Sequence, residues 1–177
     1  MRFAIRHIIF FFILICVTSC GFHLRGSVPL SPPLQRLYIQ IEDPYGKLAQ
    51  NLHQYFKMTG IYLTNSAEDA TTVLHITKEE KGQQLLSVGG TQETRQYNLT
   101  LTVTFQLQNS KGIVLIGNQS VIEARTLTIQ SSQILGGSNE ANTMYQQMRQ
   151  AIVYDIVNRL SSQEVTNILT EANKKTL

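Results

Sequence analysis

The stretch QYNLTLTVTFQL, Gln96 to Leu107, carries the clearest periodicity in the chain. Tyr97, Leu99, Leu101, Val103, Phe105 and Leu107 fall on one side of an extended chain, and Asn98, Thr100, Thr102, Thr104 and Gln106 on the other. Apolar and polar residues alternating over this length predict a long antiparallel-type strand with one buried and one polar face. Asn109-Ser110-Lys111-Gly112 then reads as a turn, and IVLIGNQSVIEARTLTI, Ile113 to Ile129, as the returning strand, bulged at Gly117. Upstream, TTVLHITKEEKGQQLLSVGG from Thr71 to Gly90 is strand-like and ends on a Gly-Gly turn signal.

Further out, Leu37, Ile39 and Ile41 alternate with Tyr38 and Gln40 as in a strand. Asp43-Pro44 reads as a helix start, with Leu48, Leu52, Tyr55 and Phe56 on one face and Gly60 as the stop. Ser138 or Asn139 caps a second predicted helix whose stripe is Met144, Tyr145, Met148, Ile152, Ile156 and Leu160. The tail holds Val165, Ile168 and Leu169 and predicts a weak helix fading into disorder. The expected fold is α/β, a two-layer sandwich with two helices packed on one face of a four-stranded mixed sheet and the other face wet or covered by a partner.

The N-terminus carries a different message. Arg2 and Arg6 form a basic start, and Ile8 to Val17 is an unbroken apolar run of about 15 Å if helical, about half a bilayer. Such a run behind a basic start is the pattern of a secretory signal peptide. It ends Val17-Thr18-Ser19-Cys20, which resembles the bacterial lipobox, with cleavage between Ser19 and Cys20 and lipid attached to the Cys20 sulfur. Cys16 lies in the segment to be removed, so the mature chain keeps Cys20 alone and forms no disulfide within itself. Gly21 follows it rather than aspartate, and by resemblance to bacterial lipoproteins this sorts the protein to the outer membrane. The expected division is a signal over 1–19, a lipidated, proline-containing tether over 20–34, the sandwich domain over 35–161 and a tail over 162–177.

Composition narrows the function. Without Arg2 and Arg6 the bases exceed the twelve acidic residues by about one, so charge offers no footprint for nucleic acid. His23, His53 and His75 have no metal-ligand spacing, no G-x-S-x-G occurs, and the pairs Glu68-Asp69 and Glu79-Glu80 read as solvated charge. No catalytic residue, metal ligand or cofactor site is expected. The short, uncharged groups of the Asn/Thr/Gln strand face suit either plain solvent or contact with another polar surface.

Cys20-Gly-Phe-His-Leu-Arg-Gly26 resembles the start of mature LptE-family lipoproteins, the lipopolysaccharide-assembly lipoproteins, which begin C-G-[FW]-H-L-R. The resemblance continues through the strand near 37–41 and its D-P-x-G sequel, the Y-x-L-x-L-x-V run from Tyr97, Arg125 on the returning strand, a glycine-containing loop, Glu140 and a helix ending Asn158-Arg159-Leu160. It implies a non-enzymatic lipoprotein carrying palmitate-type acyl chains, which plugs and helps assemble the outer-membrane β-barrel LptD for lipopolysaccharide insertion into the outer leaflet. It also implies lipopolysaccharide contact through basic residues near loop tips, whereas the tips here read Gly89-Gly90 and Gly136-Gly137. Lys78, Lys81 and Arg95 are the candidate phosphate contacts, and Thr100, Thr102 and Thr104 the candidate barrel-facing residues. The competing expectation is an independent periplasmic binding or scaffold lipoprotein.

Overall fold

The computed structural model describes residues 30–90, 94–130 and 134–174. The expectations for Ser19, Cys20, Gly21, the signal and most of the tether therefore lie outside the described residues. In chain order come a 3-10 turn (Pro32–Leu34), β1 (Arg36–Gln40), α1 (Lys47–Met58), β2 (Tyr62–Leu63), β3 (Thr72–Val88), β4 (Thr94–Gln108), β5 (Val114–Gln130), α2 (Ile134–Leu160) and α3 (Gln163–Lys174). One sheet runs β2-β1-β3-β4-β5. Its β2-β1 and β1-β3 pairs are parallel and its β3-β4 and β4-β5 pairs antiparallel. Five strands and three helices thus replace the expected four and two. β2 is only two residues long, too short to show a period, and the expected tail is α3, whose Val165 and Leu169 are buried in the core.

β4 forms as its alternation dictates. Leu99, Leu101, Val103, Phe105 and Leu107 are buried, while Asn98, Thr100, Thr102, Thr104 and Gln106 are half-exposed. The buried face packs with Met148, Ile152 and Ile156 of α2 and with Leu48, Leu52 and Phe56 of α1 in one hydrophobic cluster. Removing each such side chain from water is worth about 1.5–3 kcal/mol. Gly117 and Asn118 together face the single residue Gln106, so the expected bulge is present.

Two starts differ from expectation. Asp43-Pro44 makes a turn ahead of α1: the Tyr45 and Gly46 amides donate to Asp43 Oδ1 (3.2 Å) and the Asp43 carbonyl (3.1 Å), and the helix begins at Lys47. Gly136 and Gly137 lie inside α2 rather than in a loop before it. The stop at Gly60 is as expected: Gly60 has φ +77°, and the Gly60 and Ile61 amides donate back to the Lys57 and Phe56 carbonyls. That is the Schellman pattern, with Ile61 and Phe56 both buried beside it.

β1 and β2 end early, so beyond Ile76 β3 continues with β4 and β5 as a three-stranded arm. α2 lies along the arm's apolar side.

Candidate docking face

The register sorts the arm's side chains cleanly. Thr100, Thr102 and Thr104 of β4 stand opposite Gly82, Glu80 and Lys78 of β3 and Ala124, Ile122 and Ser120 of β5. These residues share the face turned away from the buried row. Helix side chains that hydrogen-bond the arm's side chains reach it from the other face, Arg149 to Glu79, Gln147 to Arg125 and Arg159 to Gln119, while Tyr145 and Arg159 also bond the backbone carbonyls of Gly82 and Ser120. Among the described residues, no helix covers the threonine face.

The open face is close to neutral within itself. Thr104 and Ser120 hydroxyls share a 3.0 Å hydrogen bond, and Lys78 Nζ pairs with Glu80 at 2.7 Å in the open. Nearer the base, the side-chain amide nitrogens of Gln106 and Gln108 each lie 3.2 Å from His75 Nδ1. Ile122 rises from this surface 63 % exposed, an apolar knob among hydroxyls.

The helix-facing side of β3 is charged, which the sequence reading missed. Residue Thr77 is unpaired between Ile76 and Lys78, a bulge that moves Lys78 to the open face and Glu79 under α2. There Arg149, 8 % exposed, holds Glu79 Oε1 from Nε at 2.8 Å and from Nη2 at 2.7 Å. Glu79 is therefore paired to a buried arginine, its side chain 27 % exposed against 54 % for Glu80 beside it. Lys81, also facing α2, lies 5.5 Å from the Tyr145 ring centroid. The Tyr145 hydroxyl donates to the Gly82 carbonyl at 2.7 Å, and burial pushes its phenol pKa up, keeping the donor protonated.

The three candidate phosphate contacts consequently do not converge. Lys78 and Lys81 sit on opposite faces, and Arg95, exposed opposite Val88, stands about 30 Å along the arm from Lys78 at the strand rise. A cleft of about 350 Å³ opens between the start of α1 and β3, lined by Asp43, Lys47, Thr77, Lys78, Glu79 and Arg149 among others. Its lining contains no histidine, cysteine or serine, and its arginine is already paired. Among the described residues no cluster of His, Cys, Asp or Glu could hold a metal ion, and no helix is long and apolar enough to cross a membrane.

Solved structures that share this fold include two described as lipoproteins. A minor lipoprotein from Acinetobacter baumannii superposes with a TM-score of 0.62 over 75 % of this chain and 93 % of its own, at 22 % identity. The rare lipoprotein B from Shewanella oneidensis gives 0.63 over 73 % and 96 %, at 19 % identity. These likenesses define the class by fold: an α/β sandwich of the kind found in small bacterial lipoproteins. The model of the LptE family, described as lipopolysaccharide-assembly, matches residues 34–160, and the chain belongs to that family. It is 26 % identical to the LPS-assembly lipoprotein LptE of Pectobacterium atrosepticum over 97 % of both chains. The corresponding protein of Yersinia enterocolitica is 25 % identical over 99 % of this chain and 89 % of its own.

Proposed function

We propose that this lipoprotein seats inside the lumen of an LptD-type outer-membrane β-barrel, helps that barrel assemble, and takes part in delivering lipopolysaccharide to the outer leaflet. It acts without catalysis, from the periplasmic side, held by acyl chains on Cys20. The observation that carries this reading is the uncovered face of Thr100, Thr102 and Thr104 with Ser120 and Thr126. A barrel lumen is polar. Hydroxyl and amide groups exchange water for such a wall at less desolvation cost than charges do. Ile122 gives the same face one apolar point of purchase. The anchor raises the local concentration of the domain at the membrane, so each contact can be modest. Of the three candidate cations only Arg95 stands near the hairpin end, so phosphate contact at that tip would rest on Arg95.

A Thr102→Arg variant tests the face. Burying an unpaired charge against the barrel wall is expected to weaken barrel association by about 2 kcal/mol, roughly thirtyfold. The thermal midpoint of the variant alone should barely change, because the side chain points away from the core. Unaltered association would remove the face from the interface.

A further inference from the structure

Gly82 is a glycine inside a strand whose backbone does not require one. Among the described residues only Gly60 and Gly112 have a positive φ, so Gly82 holds a conformation open to other residues. It stands in β3 beyond the end of β1, where β4 alone pairs with β3. A missing side chain weakens a strand at such a point. The Tyr145 hydroxyl, bonded from α2 to the Gly82 carbonyl at 2.7 Å, steadies it. A weak point kept and braced in this way implies a use for the empty space.

The space is taken by a neighbour. A Cβ built on Gly82 would run into Oγ1 of Thr100, its register partner on β4. At Gly117, on the bulge in β5, a Cβ would meet nothing within 4 Å. The Thr100 hydroxyl thus leans toward β3 over room that only a glycine leaves. Among the described residues it forms no hydrogen bond, whereas the Thr104 hydroxyl on the same face is bonded to Ser120 at 3.0 Å. Thr100 is half-exposed, so its hydroxyl is turned in a set direction with its donor and acceptor both open to a partner.

We propose that Gly82 is a positioning residue of the docking face: it keeps the Thr100 hydroxyl turned toward β3, where that hydroxyl hydrogen-bonds a polar group of the barrel wall. The inference rests on the barrel reading of this face and adds to it the threonine that makes a directed contact. Alanine at position 82 would displace the hydroxyl, because a threonine relieves such a clash by turning about χ1 to another staggered position. The contact would then be lost with the sheet intact.

The test is a cycle of Gly82→Ala, Thr100→Val and the double variant, each made as the full-length lipoprotein together with the LptD-type barrel of the same cell. Association is measured in mild detergent, and unfolding of the lipoprotein alone by circular dichroism. Each single change is expected to weaken association about tenfold, the scale of one hydrogen bond lost at an interface. The double variant is expected to lose about tenfold in total rather than about a hundredfold, because both changes remove the same contact. Gly82→Ala should melt level with the parent or a few degrees above it, since alanine restricts the unfolded chain more than glycine does. A melting point that falls in step with association would make Gly82 a merely structural residue and overturn the proposal. So would additive losses in the double variant. Full association of Gly82→Ala while Thr102→Arg loses the barrel would overturn it too, and would leave the barrel reading standing. If Thr102→Arg also associates fully, the barrel reading of the face falls and the proposal falls with it.

Discussion

An Arg149→Met variant is expected to melt roughly 5–10 °C below the parent when unfolding is followed by circular dichroism. The methionine keeps most of the aliphatic bulk under α2 but leaves Glu79 facing the helix without its cation. Removing one partner of a fully buried pair costs about 3–5 kcal/mol. Here the Arg149 and Glu79 side chains are 10 % and 27 % exposed, so solvent screens part of the loss, and about 2–3 kcal/mol is the appropriate scale. In a domain of this size each kcal/mol is worth about 2–4 °C. The sign of the pair's origin is checked by adding Glu79→Gln. Once the carboxylate is neutral no charge is stranded, so the double variant should melt above Arg149→Met alone. A double variant that melts lower than either single change would mean that the two residues stabilise the arm by separate routes.

The second large effect is at the anchor. Cys20→Ala is expected to abolish palmitate incorporation and to remove the protein from the outer-membrane fraction. Its apolar leader should remain attached, because the thioether that licenses cleavage cannot form. Each buried methylene contributes about 0.8 kcal/mol to membrane binding, and stable attachment takes more than one chain. Losing all acyl chains therefore removes the outer-membrane population rather than trimming it. Metabolic labelling with palmitate and fractionation of the two membranes provide the readout. A Cys20→Ala chain that still sediments with the outer membrane would show that protein contacts alone hold it there.

How much of this was legible in the sequence depended on whether a residue announced each irregularity. β4 is unbroken, so alternation alone assigns its two faces, the threonine face among them. Gly117 marked the bulge in β5, and Gly60 the end of α1, because each sits where a glycine is the usual residue. The bulge at Thr77 has no such marker. One extra residue there inverts the facing of everything after it, which puts Glu79 under α2 and Lys78 on the open face; Lys78 and Lys81, with no bulge between them, stand on opposite faces in either register. Gly136-Gly137 failed in the opposite direction: two glycines are poor helix formers, costing about 1 kcal/mol each, yet the helix runs through them. The tail offered only Val165, Ile168 and Leu169, within about one turn, too little to separate a docked helix from a fraying one. Dependence of Glu79 on Arg149, seventy residues away, has no local signature at all.

The placement of this lipoprotein within a barrel is tested most directly by purifying the tagged protein from outer membranes in mild detergent and measuring what accompanies it and in what ratio. The account predicts a large β-barrel protein of the LptD type in near one-to-one ratio. Recovery of the lipoprotein without the barrel, while the barrel is present in the same extract, would contradict it.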